Sequence, residues 1–133
     1  MGLLDLFSKN KFTLELTIPK GVRIARTSEK IKFIGTTDQI STIAHEIRKV
    51  SKLNNGELAK VEGYVFKVSD DMTNDRFQRN WIELPGHAWN VMASKFIEVT
   101  SRQEDNPFYF NNCGYTNRIP FDIGVEITDL VNE

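Results

Sequence analysis

TTDQISTIAHEIRKVSKLNNG, residues 36–56, decides the fold class. Ile40, Ile43, Ala44, Ile47, Val50 and Leu53 recur every three or four residues, which lines one face of a helix. Thr36 or Thr37 is the expected N-cap, and Thr36 and Gln39 have the spacing of a capping box, in which each side chain satisfies a backbone N–H at the helix start. Asp38 places negative charge in the first turn, while Arg48, Lys49 and Lys52 place positive charge near the end, as the helix dipole favours. Asn54, Asn55 and Gly56 supply a stop, with Gly56 the expected left-handed residue. The spacing predicts one main amphipathic helix over residues 38–53.

The segments on either side read as strands. FTLELTI (12–18) alternates, with Phe12, Leu14, Leu16 and Ile18 on one face. PKG (19–21) is a turn signal. VRIA (22–25) and KIKFI (30–34) complete an expected antiparallel meander. Beyond the helix, ELAKVEGYVFKV (57–68) reads as a strand whose parity is confused around Gly63, and SDDMTND (69–75) as a polar loop. FQRNWIEL (77–84) is a candidate strand ended by Pro85 and Gly86. HAWNVMASKFIEVT (87–100) reads as a helical turn near 88–94 followed by a strand at 95–100. Residues 101–120 read mostly as loop, with Phe108 to Phe110 able to pair as a short strand. FDIGVEITDLV (121–131) is the last strand, with Phe121, Ile123, Val125 and Ile127 inward. Of the two tryptophans, Trp89 is expected in the core and Trp81 partly exposed near a site.

The expected architecture is therefore α+β. A largely antiparallel, twisted sheet of about 5–7 strands carries the 38–53 helix packed across it. Residues 1–11 form a short amphipathic segment, with Leu3, Leu4 and Phe7 docking on the domain, and 12–133 a single compact domain. A chain of 133 residues is of ordinary one-domain size.

Composition narrows the function classes. Charged residues are 26% and aromatic residues 11% of the chain, the balance of a folded soluble protein rather than a disordered one. The one cysteine, Cys113, excludes an internal disulfide and fits a reducing compartment. No apolar run approaches the roughly 20 residues of a membrane span, and no secretory signal pattern opens the chain. A cytoplasmic location is expected. Net charge is -1, but the basic residues gather before position 54 and the acidic ones after it.

Chemical motifs are sparse. Gly35-Thr36-Thr37 follows a strand and opens the helix, where anions can bind, yet it lacks the glycine spacing of a nucleotide loop. Asp70, Asp71, Asn74 and Asp75 fail the calcium-loop pattern, which requires Gly at the sixth position. No HExxH and no zinc-ligand cluster occur, so no metal and no cofactor is expected. His87, after a Pro-Gly turn, could activate the Cys113 thiol as an enzyme would need, although nothing local enforces that pairing.

Two binding surfaces remain. NPFYFNNCGYTNRIP (106–120) mixes aromatics, Asn and Arg, the residue types in which binding energy concentrates. The first functional reading is a small protein-binding module, adaptor or inhibitor-like, using the 106–119 loop with Trp81, Tyr109, Tyr115 and Arg118. In the competing structural reading of that loop, Phe108, Phe110 and Tyr115 plug the end of the core. The second functional reading is single-stranded nucleic-acid binding along a basic strip over 20–32, with Lys20, Arg23, Lys30 and Lys32 supplying charge and nearby aromatics stacking bases. A pI near 6.1 weighs against it. The third is a small enzyme using His87 and Cys113.

Overall fold

The computed structural model describes residues 12–27, 30–70, 81–101, 106–110, 115–116, 119–120 and 122–129. The α+β class holds. The single, largely antiparallel sheet does not: the described residues build two mixed four-stranded sheets, a two-stranded ribbon and two helices.

In chain order the strands are β1 (Phe12–Glu15), β2 (Arg23–Arg26), β3 (Lys30–Gly35), β4 (Leu58–Val61), β5 (Tyr64–Val68), β6 (Trp81–Leu84), β7 (Phe108–Phe110), β8 (Tyr115–Thr116), β9 (Ile119–Pro120) and β10 (Asp122–Ile127). The helices are α1 (Thr37–Ser51), between β3 and β4, and α2 (Gly86–Val99), between β6 and β7. The first sheet has the order β1-β4-β5-β6 and the second β2-β3-β10-β7. Each helix carries the chain from one sheet to the other. β1 joins the first sheet, pairing in parallel with β4, while β2 opens the second. Of the expected meander only the β2–β3 hairpin exists.

α1 begins as its residues dictate. Thr36 caps it, and the capping box with Gln39 is closed in both directions. Gln39 does more than cap. Its Oε1 accepts from the Thr36 N–H, and its Nε2 donates to the Lys20 carbonyl at 2.9 Å. Cβ atoms on Gly35 and Gly21 would stand 2.7 and 2.9 Å from that amide. Two glycines thus open the space in which one side chain ties the 19–22 turn to the helix start. The stop differs from expectation: the helix ends at Ser51 with Lys52 as its cap, and Gly56 (φ +92°) serves the turn into β4 instead.

The confused parity of 57–68 has a simple origin. Glu62 (φ 45°) and Gly63 (φ 86°) form a two-residue turn with positive φ at both positions, the hairpin type whose twist matches the strands. Val61 pairs with Tyr64, so the buried set switches from odd (Ala59, Val61) to even (Tyr64, Phe66, Val68) across it.

The strand expected at 95–100 is the second half of α2. Trp89, Met92, Ala93, Phe96 and Val99 are its buried residues, and they form a helical stripe. Trp89, fully buried as expected, stacks on Phe66 with ring centroids 4.6 Å apart. Its indole N–H donates to the Lys67 carbonyl at 3.2 Å. The apolar faces of both sheets and both helices meet in one core.

Two carboxylates, Glu46 and Glu83, are buried among the described residues, and Glu46 ties two elements together. Glu46 on α1 accepts from the Thr17 N–H at 2.9 Å and pairs with Lys49. Burial raises the Glu46 pKa, but the Lys49 and Thr17 hydrogen bonds outweigh it and hold the group below its ordinary value. A carboxylate so held stabilises the fold fully above its unfolded pKa and loses that contribution as pH falls through its folded pKa. Glu46→Gln should therefore flatten the dependence of the urea midpoint on pH in the window below about pH 4.5, where unfolded Glu begins to protonate. An unchanged acid limb would remove Glu46 from acid stability. Trp89→Ala should cost about 3–5 kcal/mol of unfolding free energy, measured by urea titration.

Candidate functional site

The second sheet has one apolar and one solvent face, and its strands alternate accordingly. Ile31, Phe33, Ile123, Val125 and Ile127 are buried. By the strand pairing, the opposite face carries Arg23 and Ala25 from β2, Lys30, Lys32 and Ile34 from β3, Asp122, Gly124 and Glu126 from β10, and Tyr109 from β7. One cross-strand row reads Ala25, Lys32, Gly124, Tyr109.

Tyr109 is the centre of this face. β7 is set in place partly by Asn106, whose side-chain amide donates to the Ile127 carbonyl and accepts from the Ile127 N–H at 2.9 and 2.8 Å. That amide prolongs the β7–β10 ladder. Phe108 and Phe110 then turn to the core, with Phe108 meeting Phe96 edge-on at 6.2 Å. Tyr109 turns to solvent. A Cβ on Gly124 would lie 2.3 Å from the ring, so the absent side chain is what lets the ring lean across β10. From there it reaches β3: the Lys30 ammonium stands 5.0 Å from the ring centroid, a cation–π contact.

Beside it, Lys32 Nζ donates to Glu126 Oε1 at 2.8 Å. The Glu126 hydrogen bond holds the Lys32 ammonium above its ordinary range, with Tyr109 adding a smaller push in the same direction. Lys32 belongs to the basic first part of the chain and Glu126 to the acidic remainder. On this face the two parts interleave rather than occupying separate regions.

The residues expected at a site are thus partly gathered. Tyr109, named for the protein-binding loop, shares a face with Arg23, Lys30 and Lys32, named for the basic strip. Lys20 is exposed in the turn before β2, its carbonyl held by Gln39. Trp81 lies in β6 opposite Val65, and Tyr115 in β8 opposite Pro120, with β8 against β6 of the other sheet. Arg118 and Cys113 lie outside the described residues. Sequence reasoning missed Gly124 and Glu126. Gly inside an otherwise alternating strand is a signal of close approach, and DIGVEI carries it.

Among the described residues the other chemistry does not assemble into a built site, and the expected His87–Cys113 pairing reaches outside them. His87 is exposed in the first turn of α2. Glu83, four residues earlier, is buried in β6 with an oxygen 3.7 Å from Lys67 Nζ. At the Gly35-Thr36-Thr37 turn the chain supplies its own anion. Asp129 Oδ1 accepts from both the Thr37 N–H and its hydroxyl, each at 2.8 Å. Those hydrogen bonds hold the Asp129 carboxyl below its ordinary range. Among the described residues no group of three or more His, Cys, Asp or Glu could hold a metal, and no helix is long and apolar enough to cross a membrane.

Gly124→Ala is expected to displace the Tyr109 ring and cost about 1–3 kcal/mol, the range of overpacking substitutions. The loss should shrink in a Tyr109→Ala background, where the nearest clash is gone and only the Phe108 carbonyl at 2.8 Å remains, and a double-mutant cycle in urea measures that coupling. Comparison with family models, curated proteins and solved structures found no match, so the geometry of this face carries the functional reading.

Proposed function

We propose that the chain is a small protein-binding module that presents the solvent face of the second sheet, centred on Tyr109, to a partner protein. The observation that carries this reading is the seating of Tyr109. Its ring lies over Gly124, is half-buried, and has Lys30 beside it. A ring held in one place loses little conformational freedom on binding, which suits an anchor of interface energy. Arg23 stands exposed on the same face. Tyr115 and Arg118 of the 106–119 stretch remain expected contacts of this reading, carried by the sequence alone.

Single-stranded nucleic acid is the second reading, because Arg23, Lys30 and Lys32 share one face with an aromatic ring. Two features favour protein over nucleic acid. Lys32 is already paired with Glu126, and Asp122 and Glu126 on the same face repel a phosphate backbone. A surface of both signs suits a partner of complementary pattern.

The test is capture from a lysate of the source cells on three baits: the wild-type chain, Tyr109→Ala and Arg23→Glu, each with and without nuclease. The expected result is a protein recovered in near-equal amount despite nuclease. Its affinity should drop by about 2 kcal/mol, roughly thirtyfold, with Tyr109→Ala. Recovery that nuclease abolishes would replace this reading with the nucleic-acid one. Recovery indifferent to both substitutions would move the interface off this face.

A further inference from the structure

The edge of the same sheet bears on how a partner engages it. Among the described residues β2 pairs with β3 alone, with Arg23 opposite Ile34, Ile24 opposite Phe33, Ala25 opposite Lys32 and Arg26 opposite Ile31. The Thr27 N–H donates to the Lys30 carbonyl at 2.9 Å, which marks 27–30 as a hydrogen-bonded pair. Antiparallel pairs alternate, so 25–32 and 23–34 are bonded as well. The backbone N–H and C=O groups of Ile24 and Arg26 therefore point away from the sheet. Among the described residues no backbone or side-chain group pairs with them. Arg23, Ala25 and Arg26 are exposed and Ile24 half-buried.

We infer that β2 is a docking edge that takes a fifth strand from an acidic, extended segment of a partner protein, by β-strand addition. The inference rests on the protein-binding reading above and states its mode. Charge selects the occupant. Lys20, Arg23, Arg26 and Lys30 lie along or beside this edge, each exposed. A second copy of the chain paired here would bring two such sets together on one seam, and like charges across a ladder are destabilising. An acidic strand meets the same groups favourably.

The pleat sets the pattern of that strand. Side chains on its solvent side neighbour Arg23 and Ala25, so carboxylates fit there. Those on its other side neighbour Ile24 and Val22, both partly buried against the core, so apolar residues fit there. Arg26 marks the end of the edge. Its guanidinium lies 5.1 Å from the Tyr64 ring centroid and donates to the Glu62 carbonyl at 2.9 Å, tying that corner to the β4–β5 turn. The incoming strand runs from this corner toward Val22.

Fluorescence anisotropy with dye-labelled probes tests the assignment on the full chain. The probes are a short peptide alternating Glu and Val, the same peptide with Lys for Glu, the Glu peptide with a central proline, and a thymidine oligonucleotide. The Glu–Val peptide is expected to bind saturably and to weaken as salt rises. The Lys and proline peptides should bind roughly tenfold or more weakly. Ile24→Pro removes an outward N–H that the β2–β3 ladder does not use, and should weaken the Glu–Val peptide about tenfold. Arg23→Glu, which leaves Lys20, Arg26 and Lys30 in place, should narrow the preference for the Glu–Val peptide over the Lys peptide. Circular dichroism confirms folding of both variants. Independently of any variant, hydrogen exchange at the Ile24 and Arg26 amides of the wild-type chain should slow on adding the Glu–Val peptide.

Unchanged exchange at those amides, or equal binding of the proline peptide, overturns strand addition. So does tighter binding of the oligonucleotide than of any peptide. The two readings fail separately. A captured protein lost with Tyr109→Ala but retained with Ile24→Pro keeps the module and removes the docking edge. A capture that yields no protein removes the module itself.

Discussion

Two sheets, each with one apolar face, must close on the same pair of helices. That constraint organises the molecule. α1 lies against β3 and β10 of one sheet, β5 of the other, and α2. It therefore needs a broad buried surface, and Ile40, Ile43, Ala44, Ile47 and Val50 provide one. Gln39 fixes where that surface starts, by locking the helix N-terminus to the turn that precedes β2. Glu46 fixes the path of the chain leaving β1, because its carboxylate takes the Thr17 N–H while its own charge is met by Lys49. With α1 so placed, Trp89 on α2 has a defined partner in Phe66, and the rest of the core fills around that stack.

The parts that sequence made legible are those whose signals are local. The capping box, the α1 stripe, the β2–β3 hairpin, the Phe108–Phe110 strand and the inward set of β10 all rest on neighbours within a few positions. The parts it obscured depend on distant partners. α2 has Pro85 as its N-cap with no side-chain capping bond and no acidic residue in its first turn. Its second half, KFIEV, has the composition of a strand. Burial of Trp89, Phe96 and Val99 against the sheets overrides that local preference. The alternation of FTLELTI correctly marks Leu14, Leu16 and Ile18 as inward, although Phe12 at the strand start is exposed, yet alternation names a face and never a neighbour. Nothing in 12–18 announces a parallel partner at Leu58–Val61.

The candidate site shows the same division. The individual residues Tyr109, Arg23, Lys30 and Lys32 were visible as types, but they were divided between two separate hypotheses. Only the pairing of β3 with β10 and of β10 with β7 brings them onto one surface. Gly124 is the hinge of that arrangement, since any side chain there would hold the ring off the sheet. Glu126 changes the meaning of Lys32, turning a free cation of a supposed strip into half of an ion pair. The site's mixed character is thus a product of strand order, which periodicity does not encode.

The chain's repeated crossing between sheets also bears on how the molecule comes to exist. β4, β5 and β6 follow one another, so most of the first sheet forms from segments close in sequence. The second sheet is different: β3 at Lys30–Gly35 waits for β10 at Asp122–Ile127 to supply its parallel neighbour. Contacts of such long range are slow to form, because the loop between them must close before they contribute. During synthesis, the basic hairpin of β2 and β3 emerges before β10, and the β3 edge stays unpaired until β10 has been made. Its lysines and arginines guard that exposed edge against wrong pairing through the interval. The charges proposed to choose a partner in the finished protein would, on this view, first act as a safeguard for the nascent one.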